Sequence, residues 1–253
     1  MKHRFEEADM LNKMTNCCEQ ENPSAPLEIA RAQLFPEMRR VQESLMAAPE
    51  KRTLLWLAAR TPHWIGPDHL TLFGLAAQIG AGVCYALSAR YRYALLGVIA
   101  CLALNWLGDS LDGTLARARQ QLRPRYGFYV DHMVDSFGAL ALMGGLALSG
   151  YMHPGIAIGL LIAFLMLSIQ SYLATYALGE FRLSLWCFGP TELRILLSSG
   201  NVALLWKPRV HFLGGYHRLF DVGAAIGLAG MGLMVVFLTI QNTLRLYREE
   251  IVR

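Results

Sequence analysis

Four aspartates stand at helical intervals in otherwise apolar sequence. Asp109 and Asp112 are followed by Gly113, Ala116 and Arg117. After a spacer, residues 118–126, come Gly127, Asp131 and Asp135. A carboxylate at bilayer depth costs roughly 2.5–3.5 kcal/mol on the insertion scale, so four of them need a compensating partner. A hard divalent cation suits, because such ions take several oxygen ligands. With no His or Cys in the set, the preference is Mg²⁺ or Mn²⁺.

Residues three and four apart share one face of a helix. Asp109, Asp112, Gly113, Ala116 and Arg117 therefore form one stripe, and Gly127, Asp131 and Asp135 form a second. A short connection makes the two helices antiparallel neighbours, so the stripes can face each other across a polar pocket. Carboxylates that close repel strongly without a cation. One or two metal ions would neutralise them and bind a diphosphate. Gly113 and Ala116 leave room for a flat ligand against the backbone.

The elements that position these groups are membrane helices. Of 253 residues, 54% are hydrophobic and only 17% are charged, against about 25% charged in soluble domains. Six spans are expected, near residues 71–89, 93–112, 127–149, 155–178, 191–206 and 219–241, each close to the ~20 residues that cross a hydrocarbon core. The fifth is short and interrupted by Ser198, Ser199, Gly200 and Asn201. The sequence predicts an all-α integral membrane protein, six transmembrane helices with a cytosolic amphipathic N-terminal extension. Residues 1–66 form the extension and 67–253 the membrane domain.

Within the extension, Leu27, Ala30, Leu34, Met38, Val41 and Leu45 recur at steps of three and four, an amphipathic helix pattern that Pro36 would kink or split. A short apolar run, bracketed by Lys51, Arg52 and Arg60 and holding Trp56, suits a helix lying in the interface plane. Pro67 should separate it from the first span. The polar N-terminus lacks the apolar run and cleavage site of a signal peptide, so the extension is expected in the cytosol. Cys17, Cys18, Cys84, Cys101 and Cys187 have no metal spacing and read as free thiols. The net charge of +4 fits helix flanks, not nucleic acid.

Lys and Arg near the span ends favour both termini inside. Arg117, Arg119, Arg123 and Arg125 then lie on the cytosolic side with the aspartates. Arg90, Arg92, Lys207, Arg209 and Arg218 fall outside, and the 207–218 loop is an exception to the rule that the sequence leaves unaccounted for. A cation transporter is a rival reading, since carboxylates in membranes also mark ion pathways. Transport sites sit near the midplane at broken helices, whereas these aspartates gather at one end beside four arginines. A membrane scaffold working through the N-terminal region is a further alternative.

The arrangement resembles the signature of the CDP-alcohol phosphatidyltransferase family, D-x-x-D-G-x-x-A-R, a spacer, then G-x-x-x-D-x-x-x-D. The run from Pro67 through Thr71 to Gly74 is similar to the family's P-N-x-L-T-L-x-G at the start of span one. The likeness covers roughly residues 55–240. Two departures stand out: the spacer has nine residues where eight is commoner, and Asp68 replaces the usual Asn. They bear on substrate details near Arg123 and Arg125, not on the metal site.

The resemblance implies a reaction. A CDP-lipid, usually CDP-diacylglycerol, gives up its phosphatidyl group to a polar acceptor alcohol, and CMP leaves. CDP-choline or CDP-ethanolamine with a lipid alcohol is the variant within the family. By the same resemblance, Asp109, Asp112, Asp131 and Asp135 hold Mg²⁺ or Mn²⁺, and Asp135 acts as general base. Gly113, Ala116, Arg117 and Gly127 line the nucleotide. Arg194, just inside the membrane at the start of span five, would face a phosphate on the acceptor or lipid, a task suited to its planar donor fork. Within the sequence around it, only Glu192 offers an opposite charge. The implied location is the inner (cytoplasmic) membrane if the source is bacterial, with the site facing the cytosol.

Two histidines and one small-residue pattern complete the reading. His132 lies one residue off the aspartate face and reads as packing, and His69 as a solvated interfacial residue. Gly223 and Gly227 form a small-xxx-small pattern that packs helices within the fold or between the copies of a homodimer.

Overall fold

The structure, a computed structural model, describes residues 47–178, 190–212 and 214–250. The expected helix over Leu27–Leu45 lies outside the described residues, as do Cys17, Cys18 and Cys187. The elements in chain order are α1 (Ala47–Arg60), α2 (Pro67–Ser88), α3 (Ala94–Ala118), α4 (Pro124–Leu148), α5 (Pro154–Leu178), α6 (Pro190–Trp206), β1 (Arg209–Phe212), β2 (Gly215–Arg218) and α7 (Leu219–Glu249).

Proline sets the start of α2, α4, α5 and α6. Its missing N–H is unpaired at a first helical position anyway, and its fixed φ is already helical. At α2 the start is reinforced: the Gly66 N–H donates to His69 Nδ1 at 3.1 Å. His69, expected to be merely solvated, is thus a cap.

Among the described residues, four helices are long and apolar enough to cross a membrane: α2, α3, α5 and α7. Their outward faces are as apolar as the core. Ile158, Ile162 and Leu173 on α5 and Val236, Phe237 and Ile240 on α7 are each more than half exposed. Such surface belongs against lipid, because in water it would form patches far larger than soluble monomers tolerate. The chain is therefore integrated in a membrane. Helices α4 and α6 occupy the places of the third and fifth expected spans. They are not among those four: α4 carries Arg125, Asp131 and Asp135, and α6 has 17 residues.

Helix α2 packs against both α3 and α4, α6 packs on α3, and α5 bridges α4 and α7. The α2–α3 crossing is close because glycine meets glycine. A Cβ on Gly108 would sit 2.8 Å from the Gly74 nitrogen and 2.8 Å from the Leu70 carbonyl oxygen. The main core holds Tyr85, Leu95, Val98, Leu102, Leu146 and Leu204. A smaller core joins Leu54 and Ala58 of α1 to Leu111 and Leu115 of α3, which seats the amphipathic helix beside the aspartates.

One expectation is revised, and two open points are filled in. The polar run Ser198–Asn201 does not interrupt its helix, because α6 is continuous. Asn201 is fully buried, its Nδ2 donates to the Tyr85 hydroxyl at 2.9 Å, and the Phe220 ring lies against Gly200. The 207–218 segment has structure of its own. It folds into an antiparallel hairpin with Arg209 opposite Arg218 and Phe212 opposite Gly215, and Gly214 takes φ +83° in the turn. The helical membrane fold thus carries one small β element. Of the Gly223–Gly227 pair, Gly227 meets α5 inside the chain, where Leu160 approaches it at 3.8 Å, while a Cβ on Gly223 would meet nothing within 4 Å among the described residues; a homodimer is not supported.

The Gly108 contact is testable. Gly108→Ala should destabilise the purified protein by about 1–3 kcal/mol, the usual range for overpacking, whereas Gly230→Ala, whose Cβ meets nothing within 4 Å, should not. Thermal midpoints of the two variants in detergent make the comparison, and equal midpoints would show that the α2–α3 crossing is looser than described.

Candidate active site

The site forms where the start of α2, the end of α3, the start of α4 and the start of α6 come together. Helix periodicity places Asp109 and Asp112 on one side of α3, and each is held by a different neighbour. Asp109 Oδ2 accepts from Arg194 Nη2 of α6 at 2.7 Å. Asp112 Oδ2 accepts from the Thr71 hydroxyl of α2 at 2.6 Å. Asn105, one turn before Asp109, is buried and links three helices: its Oδ1 accepts from Arg194 Nε at 2.9 Å, and its Nδ2 donates to the Gly74 carbonyl at 3.0 Å and to Gln78 Oε1 at 3.3 Å.

Arg194 is therefore not left to Glu192 alone, as the sequence around it suggested. Its partner lies 85 residues away in the chain. Only the tertiary fold brings the two charges together.

Asp131 and Asp135 enter from α4, and Asp135 is half-buried. The charges of Asp109, Asp131, Arg194 and Asp112 all act on Asp135, and those of Asp109 and Asp131 act on Asp112. The four carboxylates and one guanidinium thus share a single electrostatic neighbourhood. His132 turns away from it. Its ring is buried, with Nδ1 at 2.5 Å from the Phe128 carbonyl oxygen, and it stacks on Phe128 and meets Tyr172 edge-on. That fits a packing role.

The positions expected to line a nucleotide leave space. A Cβ on Gly113 would meet only the Arg117 guanidinium, at 3.8 Å, and one on Gly127 would meet nothing within 4 Å among the described residues. Ala116 is half-buried, and Arg117 is exposed with Nη2 3.4 Å from the Thr114 hydroxyl. The other arginines have separate work. Arg119 donates to the carbonyls of Ile65 (2.6 Å), Thr61 (2.9 Å) and Pro62 (3.0 Å), tying the α1–α2 connection to the end of α3. Arg123 pairs with Asp68 at 3.4 Å on the surface.

Sequence reasoning missed Thr71, Asn105, Gln78 and Arg119 as parts of this assembly. Two of them carried a signal. Thr71 lies in the run at the start of span one, and Asn105 is an amide in an apolar run, four residues before Asp109 and so on its face.

Among the described residues, no three of His, Cys, Asp and Glu stand as a group that could hold a metal ion; Asp109 meets Arg194 and Asp112 meets Thr71. The donor chemistry nonetheless fits a hard divalent cation: four carboxylates face one guanidinium, with no competing soft ligand.

Fold and site together define a helical membrane protein with four carboxylates and an arginine gathered at one end of its bundle. A family model, CDP-alcohol phosphatidyltransferase, matches residues 64–240, which is well over half of the chain. The chain belongs to that family. It is a membrane transferase of phospholipid biosynthesis, from a family that uses CDP-alcohols and an alcohol acceptor and generally depends on a divalent metal. No curated protein matches it.

The Arg194–Asp109 pair should be visible as coupling. In a double-mutant cycle of Arg194→Ala and Asp109→Asn, followed by thermal unfolding in detergent, the interaction energy should fall between about 0.5 and 3 kcal/mol. Strict additivity would mean that the two side chains do not interact.

Proposed function

We propose that this protein transfers a phosphatidyl group from CDP-diacylglycerol to a polar acceptor alcohol and releases CMP. The observation that carries the reading is the shared electrostatic neighbourhood of Asp109, Asp112, Asp131, Asp135 and Arg194, set in the family's signature. The acceptor hydroxyl attacks the lipid-bearing β-phosphorus, the bond to the CMP oxygen breaks, and Asp135 takes the hydroxyl proton. A general base must lie within hydrogen-bond reach of that hydroxyl, and Asp135, last in the stripe and one turn beyond Asp131, is best placed for it.

Asp109, Asp112, Asp131 and Asp135 would hold Mg²⁺ or Mn²⁺. When bound, such an ion stabilises negative charge on the diphosphate and on the leaving CMP. Gly113, Ala116 and Gly127 give the nucleotide access to the backbone, and Arg117 lies beside it. Arg194 spends Nε on Asn105 and one Nη2 donor on Asp109. A guanidinium has five N–H donors, so those remaining can serve a phosphate on the acceptor or lipid. In the full topology α4 and α6 also cross, which gives six spans, both termini in the cytosol and the aspartate end facing it. Thr71 and Asn105 hold two helices in register with the aspartates and would act by positioning.

Two experiments decide the reading. Asp135→Asn should lower CMP release from CDP-diacylglycerol by about 10²-fold or more, the contribution of a general base, while donor binding is kept. A rate above about a tenth of wild type would remove Asp135 from that role. EDTA should stop CMP release, and Mg²⁺ or Mn²⁺ but not Ca²⁺ should restore it. Full activity in metal-stripped protein would overturn the metal assignment. The same assay, run across glycerol phosphate, inositol phosphate, inositol and serine, identifies the acceptor.

A further inference from the structure

The end of the bundle away from the aspartates is unusually basic. It is built from the α2–α3 turn (89–93), the α4–α5 turn (149–153) and residues 206–212 and 214–221. Helix α2 runs from the site to this end, and its stretch from Thr71 to Ser88 spans about 25 Å at 1.5 Å per residue, close to the thickness of a hydrocarbon core. The segments touch: Arg92 donates to the Leu205 carbonyl at the end of α6, the Leu219 N–H donates to the Pro208 carbonyl at 3.1 Å, and the His153 N–H donates to Asp221 Oδ1 at 2.6 Å. Arg90, Arg92, Lys207, Arg209 and Arg218 are all exposed here. Asp221 is the one acidic residue in these segments.

The hairpin sharpens the point. Its register sets Arg209 directly opposite Arg218, and like charges facing each other across antiparallel strands are destabilising. The hairpin also concentrates cations on the side where the distribution of Lys and Arg in membrane proteins would thin them out. Around them stand exposed aromatics: Trp206 (77% exposed), Tyr216 (78%) and Tyr93 (72%). Aromatic rings of this kind settle at the headgroup level of a bilayer.

We propose that this basic, aromatic-ringed end binds the headgroup phosphates of anionic phospholipids in the leaflet opposite the aspartates, with Arg209 and Arg218 as the central pair. A phosphodiester between the two guanidiniums relieves their repulsion through charge-assisted hydrogen bonds, while Trp206 and Tyr216 lie against the glycerol and upper acyl region. The α6–α7 connection is thereby held at the bilayer surface. The proposal goes beyond the transfer reaction and does not depend on it.

The test uses the full chain in detergent and reads thermal midpoint, not turnover. Short-chain phosphatidylglycerol should raise the midpoint of the wild type, whereas phosphatidylcholine of the same chain length and inorganic phosphate should not. In R209Q/R218Q the half-saturating phosphatidylglycerol concentration should rise about tenfold to thirtyfold, from the loss of two cation contacts. Its lipid-free midpoint should equal or exceed that of wild type, since the opposed charges are gone. An unchanged phosphatidylglycerol response in R209Q/R218Q overturns the proposal, as does an equal rise with inorganic phosphate, which would assign the site to free anions. If the double variant does not melt cooperatively, Lys207→Gln carries the test with a shift of about fivefold, and an unchanged response there counts against the proposal equally.

Discussion

Charge inside an apolar bundle must be answered by charge or by hydrogen bonds, and the Arg194–Asp109 contact is where this fold meets that demand. The two side chains are 15% and 29% exposed, so water reaches them only in part. The pair joins α6 to α3, and Asn105 ties it to the backbone and side chains of α2. A buried ion pair contributes little net stability, because desolvation offsets most of the attraction, yet removing one member is strongly unfavourable. What the pair supplies is a fixed arrangement. With Asn105 satisfied at both ends of its amide, α6 has one register against α3, and the first turns of α2 follow.

That arrangement depends on how closely the helices approach. Gly74 against Gly108 removes the side chains that would hold α2 and α3 apart. Only then can the Thr71 hydroxyl reach Asp112 and the Asn105 amide reach the Gly74 carbonyl. Small residues serve helix contacts in membranes for this reason, since lipid provides no hydrophobic drive to bring helices together. Arg119 extends the same logic to the surface. Through the carbonyls of Thr61, Pro62 and Ile65 it ties the α1–α2 connection to the end of the aspartate helix, so the amphipathic α1, already packed through Leu54 and Ala58, sits at a set place beside the site.

Much of this was legible in the sequence because it is local. Prolines mark where α2, α4, α5 and α6 begin, apolar length marks the helices, and spacing by three and four puts the aspartates on two stripes. The partners were not legible. Thr71 meets Asp112 across 41 residues and Arg194 meets Asp109 across 85, and no periodicity encodes which helix faces which. Ser198–Asn201 was misread for the same reason: its polar groups looked like a break, whereas Tyr85, from another helix, takes the hydrogen bond of the buried Asn201 Nδ2. The hairpin is a different case. Residues 209–218 alternate around a Gly-Gly pair, a strand–turn–strand signal that was passed over when the segment was read only for its charge.

The two departures from the family pattern meet in space. The longer spacer turns at Gln120, which takes a left-handed φ of 55°, a conformation uncommon for a residue with a side chain. Beyond that turn Arg123 faces Asp68, the residue standing in the place of the usual asparagine, at 3.4 Å. Both side chains are about half exposed, and such a pair adds at most ~1 kcal/mol to stability. Stability is therefore a poor reason for an acid at position 68. Direction is a better one: Asp68 draws the Arg123 guanidinium toward the start of α2, where it also lies 5.1 Å from the Tyr126 ring, so the arginine-rich turn is laid against the surface beside α2.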